Sequence, residues 1–198
     1  MTIFTIHTPE TAPEKSKDIL KGMQSKLGYV PNVLAEMAES PSLLKAYIDI
    51  AGALKNGVFS ETEKEVIQMT ANMYNGCTYC LAAHTTLAEK AGVPRPVLDR
   101  LRVGEPLDDE KLEALRQFTK VMLVKEGWAD KNDLETFFKA GYSKAAALEV
   151  ILALSHKILT NYVNHIAHTP LDDAFKDDAV EVTEEGIEDK ACCGGDCH

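Results

Sequence analysis

Residues 57–85 read GVFSETEKEVIQMTANMYNGCTYCLAAHT, and residues 141–169 read GYSKAAALEVILALSHKILTNYVNHIAHT. In both, apolar residues recur at intervals of three and four, the period of a helix with one buried face, and neither shows the strict alternation of a half-buried strand. Most of the chain repeats this pattern, which predicts an all-α protein of about eight to ten short helices. Helix punctuation agrees. Ser40-Pro41, Ser60, Val93-Pro94 and Ser143 each precede a periodic run, and Gly141 falls where a run ends.

Aligned at an offset of 84 residues, the two stretches share seven identities over 29 positions: Gly57, Glu65, Val66, Ile67, Ala83, His84 and Thr85 meet Gly141, Glu149, Val150, Ile151, Ala167, His168 and Thr169. This predicts an internally duplicated helical hairpin in which Glu65–His84 superimposes on Glu149–His168. Cys77 and Cys80 meet Asn161 and Asn164, so the first copy alone carries thiols.

The 198 residues are 45% apolar and 26% charged, enough to bury one full core, and the folded domain is expected over residues 1–175. Residues 176–198 turn acidic and Gly-containing, and they are expected to form a flexible tail carrying Cys192, Cys193, Cys197 and His198. For those four, metal capture, a redox relay and no chemical role all remain open. The net charge of −10 and the absence of a basic, aromatic-interleaved patch argue against nucleic acid. No leader-like start or bilayer-length apolar run is evident, which suggests a cytoplasmic protein with no membrane partner. Five cysteines in two clusters suit redox chemistry or metal better than a disulfide framework.

The chemistry concentrates between Glu65 and His84. Asn75-Gly76 is a helix break, so Cys77 opens a new helix whose partial positive end acts on Cys77 and Cys80. Offsets of three and seven place Cys77, Cys80 and His84 on one face. In an unbroken helix Glu65 would lie about 18 Å from Cys77. If the chain turns at Asn75-Gly76, Glu65 comes level with His84 and can orient it. By position alone Cys77 is the more activated thiol. Two buried cysteines with a Glu-His contact could instead be plain core. Zinc has three candidate ligands in Cys77, Cys80 and His84, but no nearby fourth and no ribbon-like spacing. No metal or cofactor is therefore expected. Asn161, Asn164, His165 and His168 are polar residues on an otherwise apolar helix, either satisfying one another or shaping the site.

The pattern Glu65-x11-Cys77-x2-Cys80-x3-His84 resembles the signature of the alkylhydroperoxidase D (AhpD) family within the carboxymuconolactone decarboxylase superfamily. LGYVPNVLAEMAESPSLLKAY and LTNYVNHIAHTPLDDAF resemble flanks of its peroxidase-related branch, and the likeness covers roughly residues 25–175. The resemblance implies an all-helical fold assembled as trimers or hexamers, and a thiol peroxidase. The position matching Cys80 attacks the peroxide, the position matching Cys77 condenses with the sulfenic acid, and a dithiol donor such as a lipoyl protein or thioredoxin-type protein reduces the disulfide. Glu65 and His84 would form the proton relay. Better-known members carry histidine where this chain has Tyr79. The alternatives are a carboxymuconolactone-type decarboxylase, which has no evident use for two thiols, and a non-enzymatic redox sensor or metal-binding protein.

Overall fold

The computed structural model describes residues 3–180. Within them lie nine α-helices: α1 (Glu14–Leu27), α2 (Asn32–Met37), α3 (Pro41–Lys55), α4 (Glu61–Asn75), α5 (Thr78–Lys90), α6 (Arg95–Arg102), α7 (Glu110–Val124), α8 (Lys131–Lys139) and α9 (Lys144–Ala167). A 3-10 helix, Asp173–Asp178, follows them. No strand occurs among the described residues, as the periodicity predicts. None of these helices is long and apolar enough to cross a membrane.

The helix starts follow local chemistry. Ser60 and Glu63 form a capping box at α4, Ser40 caps α3 ahead of Pro41, and the Ser143 hydroxyl accepts from Ala146 N at α9. Helix α4 lies centrally, packing against α5, α6, α7 and α9, and buries Val66, Ile67 and Met69 completely. On one side of it the core is α4, α7, α8 and α9 with a stacked series of rings, Phe118 on Phe137 at 4.2 Å and Phe137 on Tyr142 at 4.5 Å. On the other side a second cluster joins α1, α2, α3 and α5, and both Cys77 and Cys80 belong to it.

The duplicated hairpin does not form. The first copy breaks where expected: Gly76 adopts φ +67°, ending α4, and Cys77 N reaches back to Asn72 O at 2.9 Å. The second copy is one unbroken helix of 24 residues, because Leu159 and Thr160 stand where the first copy has Asn75 and Gly76 and nothing there favours a left-handed turn. The segments Glu65–His84 and Glu149–His168 therefore cannot superimpose. Glu149 takes a different task, accepting from Val58 N at 2.7 Å.

Packed chain also continues past residue 176. Phe175 is buried, and Asp178 is 7% exposed, held by Arg102, Arg95 and Thr86. The remainder of the expected tail, including Cys192, Cys193, Cys197 and His198, lies outside the described residues.

Candidate active site

Three helices converge on the thiols. Cys77 is the N-cap residue of α5 and Cys80 follows one turn later; they are 2% and 3% exposed. His84 sits one further turn along α5. The break at Gly76 folds α4 back against α5, and Glu65 Oε2 meets His84 Nδ1 at 2.7 Å. Gln68 Nε2 donates to the other Glu65 oxygen at 3.3 Å. All four residues singled out from the sequence are thus brought together.

Helix α9 closes the site with residues spaced by a turn or two. Asn164 Nδ2 donates to Cys80 Sγ at 3.2 Å and reaches Cys77 Sγ at 3.5 Å. Asn161 is held between Asn72 and Asn75, its Nδ2 donating to Asn72 Oδ1 at 3.0 Å and its Oδ1 accepting from Asn75 Nδ2 at 2.8 Å. Lys157, 1% exposed, places Nζ 2.6 Å from His84 Nε2. An ammonium donating there leaves the neutral imidazole with its proton on Nδ1, which donates to Glu65.

Lys157 was missed in the sequence. The available signal was its phase: with Val150, Ala153, Leu154, Asn161 and Asn164 it lies on the buried stripe of α9, where a lysine needs a partner.

The two thiols are driven apart. Burial opposes ionisation of Cys80, but the Cys77 thiol donating to its sulfur, the positive charge of the Lys157–His84 pair, and a hydrogen bond from Asn161 outweigh it and lower its pKa. Cys77 is pushed up, first because its proton is engaged with Cys80 and then by burial. The order is opposite to that expected from helix position alone. Cys77 stands at the N-cap, yet the cation and the amides converge on Cys80, and nearby full charges outweigh the partial charge of a helix end.

Tyr79, at the position where better-known relatives carry histidine, turns away from the sulfurs. Its hydroxyl donates to Asp172 Oδ2 at 2.5 Å, and its ring meets Phe175 edge-on at 6.1 Å. A cleft of about 480 Å³ reaches the site from the α5–α9 side, lined by Gly76, Cys77, Thr78, Asn164, His165 and His168 among others. Cys77 and Asn164 are among its buried lining, and Cys80 is not part of it. Among the described residues no group of three or more His, Cys, Asp or Glu side chains could hold a metal ion.

Residues 41–119 match the carboxymuconolactone decarboxylase family. No curated protein matches the chain. Among solved structures, one described as an alkylhydroperoxidase AhpD core, an uncharacterized peroxidase-related protein from Ralstonia eutropha JMP134, superposes with TM-score 0.79 at 20% identity, covering 88% of this chain and 94% of its own. An uncharacterized peroxidase-related protein from Silicibacter sp. TM1040 gives TM-score 0.74 at 22% identity, covering 88% and 93%. A variant of the debrominase Bmp8 in complex with 2,3,4-tribromopyrrole gives 0.71 at 21%, covering 89% and 97%. Residues 41–119, from α3 into α7, thus match the carboxymuconolactone decarboxylase family, and the described chain shares its fold with structures described as peroxidase-related and AhpD-like.

Proposed function

We propose that the chain is a thiol-dependent peroxidase that cycles Cys77 and Cys80 between dithiol and disulfide. The observation that supports this most is the placement of the Glu65–His84 pair, hydrogen-bonded at 2.7 Å, one helical turn from the thiol whose pKa is lowered. Cys80 as thiolate attacks the terminal oxygen of the peroxide, the O–O bond breaks, and the departing oxygen takes a proton from the relay. Cys77, still protonated, then condenses with the sulfenic acid to give the disulfide and water. A dithiol donor entering the cleft meets Cys77 first. Attack there expels Cys80, the better leaving group because its pKa is lower.

The test is peroxide consumption with lipoyl-protein, thioredoxin-type and glutathione donors side by side. Cys80→Ser should abolish turnover, and Cys77→Ser should permit one oxidation and stop. Disulfide formation confined to the tail cysteines, with Cys77 and Cys80 left reduced, would sink the reading.

The likeness to a debrominase carries a second reading, reductive removal of halogen from a heteroaromatic substrate by the same dithiol: Cys80 takes the halogen as a sulfenyl halide while the ring carbon takes a proton from the relay, and Cys77 then displaces halide to form the disulfide. Halide release from a bromopyrrole without peroxide turnover would select it. Assembly as trimers or hexamers belongs to the proposal, as does a cytoplasmic setting. An exposed apolar line on α9, Leu148, Ile151, Ile158, Tyr162 and Ile166, supports assembly. A solution mass near the 21.7 kDa of one chain would remove it.

A further inference from the structure

We propose that Lys157 is the third member of the relay, sharing with His84 the proton that the peroxide's leaving oxygen takes and holding Cys80 ionised by its charge. The first role rests on the peroxidase reading; the second rests on the burial of Lys157, on its contact with His84 one turn along α5 from Cys80, and on the electrostatic effect of its charge on Cys80. A lysine 1% exposed must be compensated, since burying an ammonium without a partner costs several kcal/mol. Its Nζ contacts His84 Nε2 at 2.6 Å, and the anions within reach are Glu65, through the imidazole, and the Cys80 thiolate.

The groups around Lys157 leave few places for a mobile proton. Tyr47 from α3 stays protonated, pushed up by burial and by Cys80 and Glu65. Cys77 from α5 also stays protonated, and His156 beside Lys157 on α9 stays neutral, its pKa pushed down by burial and by Lys157 and His84. From α2, Glu36 is engaged with Thr169 at the far end of α9. What remains is one proton shared across the 2.6 Å contact of Lys157 and His84, one turn along α5 from Cys80, with Glu65 on the other nitrogen of the ring. Lys157⁺ with neutral His84 and neutral Lys157 with His84⁺ carry the same charge, so the proton can cross without a change in the net charge of the pair.

The proton count closes over a cycle. The thiolate and a hydroperoxide give Cys80 sulfenic acid and an alkoxide, and the Lys157–His84 proton converts the alkoxide to alcohol. Cys77 thiol plus sulfenic acid give disulfide and water. Reduction by a dithiol delivers two electrons and two protons, one returning to Cys77 and the other to the Lys157–His84 pair. Lys157 acts through His84 in this scheme and is a positioning residue.

The experiment reads the pH dependence of Cys80 alkylation by iodoacetamide, mapped by mass spectrometry on the reduced full chain, in wild type, Lys157→Met, Lys157→Gln and Lys157→Arg, with far-UV circular dichroism to confirm folding. The neutral variants should move the midpoint up by about one pH unit or more, lowering the alkylation rate about tenfold at pH values below the wild-type midpoint. Arginine should restore the midpoint, because it keeps the charge, yet leave peroxide turnover slow, because it does not release a proton. A folded neutral variant with an unchanged midpoint overturns the charge role. Full turnover in Lys157→Arg overturns the proton role. Alkylation needs no peroxide, so a midpoint that shifts in a protein without peroxide turnover would mark the failure of the peroxidase reading and not of the charge role.

Discussion

Replacing His156 by phenylalanine should flatten the acid side of the stability profile. The imidazole is 5% exposed, stacks on Tyr47 with ring centroids 4.2 Å apart, and both its nitrogens lack a hydrogen-bond partner among the described residues. Burial first, then the positive charge of the Lys157–His84 pair, push its pKa down to about 3. In the unfolded chain the ring takes a proton near pH 6.5, roughly the ordinary histidine value. Between these limits the unfolded state binds more protons, so stability rises with pH through the window and is lost as pH falls below about 6.5. The slope is about 1.4 kcal/mol per pH unit, and moving from pH 7 to pH 5 costs about 2 kcal/mol from this residue alone. Phenylalanine keeps the stacking ring and removes both the titration and two unsatisfied nitrogens, so at pH 7 it should be neutral or stabilising by about 1 kcal/mol. Urea titrations of both proteins at pH 7, 6 and 5 measure this, and their difference isolates His156 because other groups titrate in both. Equal pH slopes in the two proteins would refute the argument, since they would mean that the native ring takes up its proton as readily as the unfolded one.

Gly57→Ala should destabilise by about 1–2 kcal/mol in a thermal melt, because the added carbon would lie 2.2 Å from Glu149 Oε2 and force that carboxylate off Val58 N. In a Glu149→Ala background the same change should cost less, and equal costs would show that the contact does not matter. Asn164→Asp should raise the midpoint of Cys80 alkylation, since it puts a carboxylate where an amide donates to sulfur at 3.2 Å; an unchanged midpoint would mean that the amide does not stabilise the thiolate. Tyr79→Phe should lower stability by about 1–3 kcal/mol by stripping the hydroxyl from the buried Asp172. It should leave the Cys80 midpoint in place, because the phenol faces away from the sulfurs, and a shifted midpoint would return Tyr79 to the relay.

Local chemistry was readable wherever a residue acts on its near neighbours in the chain. Ser60 with Glu63, Ser40 with Pro41, and Asn75 with Gly76 set helix ends by contacts within a few residues, and the structure has those ends. The meeting of Glu65 and His84 was readable too, since one break between two helices leaves little choice of geometry. Lys157 was not, because its partner is 73 residues away and its meaning depends on which helix covers α5. The ranking of the thiols failed for the same reason. Position along α5 speaks for Cys77, while the Cys77 thiol donating to Cys80, together with a charge and an amide that arrive from α9, decides the matter for Cys80.

The sequence repeat misled about shape, and the way it did so explains the site. Two copies that both turned back at their midpoints would each present a short helix, and neither could span the other. With Thr160 in place of a glycine, the second copy runs straight for 24 residues. Lys157, Asn161 and Asn164, at offsets of four and seven, then fall on one face along about 10 Å of helix. That length matches the rise from Cys77 to His84, which also spans seven residues. An unbroken helix can therefore set its lysine opposite His84 and Asn164 opposite the two sulfurs at once. A break at residue 160 would fall between Lys157 and Asn161 and leave the charge and the amides on different helices. The straightness of α9 is thus what allows one helix to supply both the cation and the amides to a thiol pair whose own helix supplies neither.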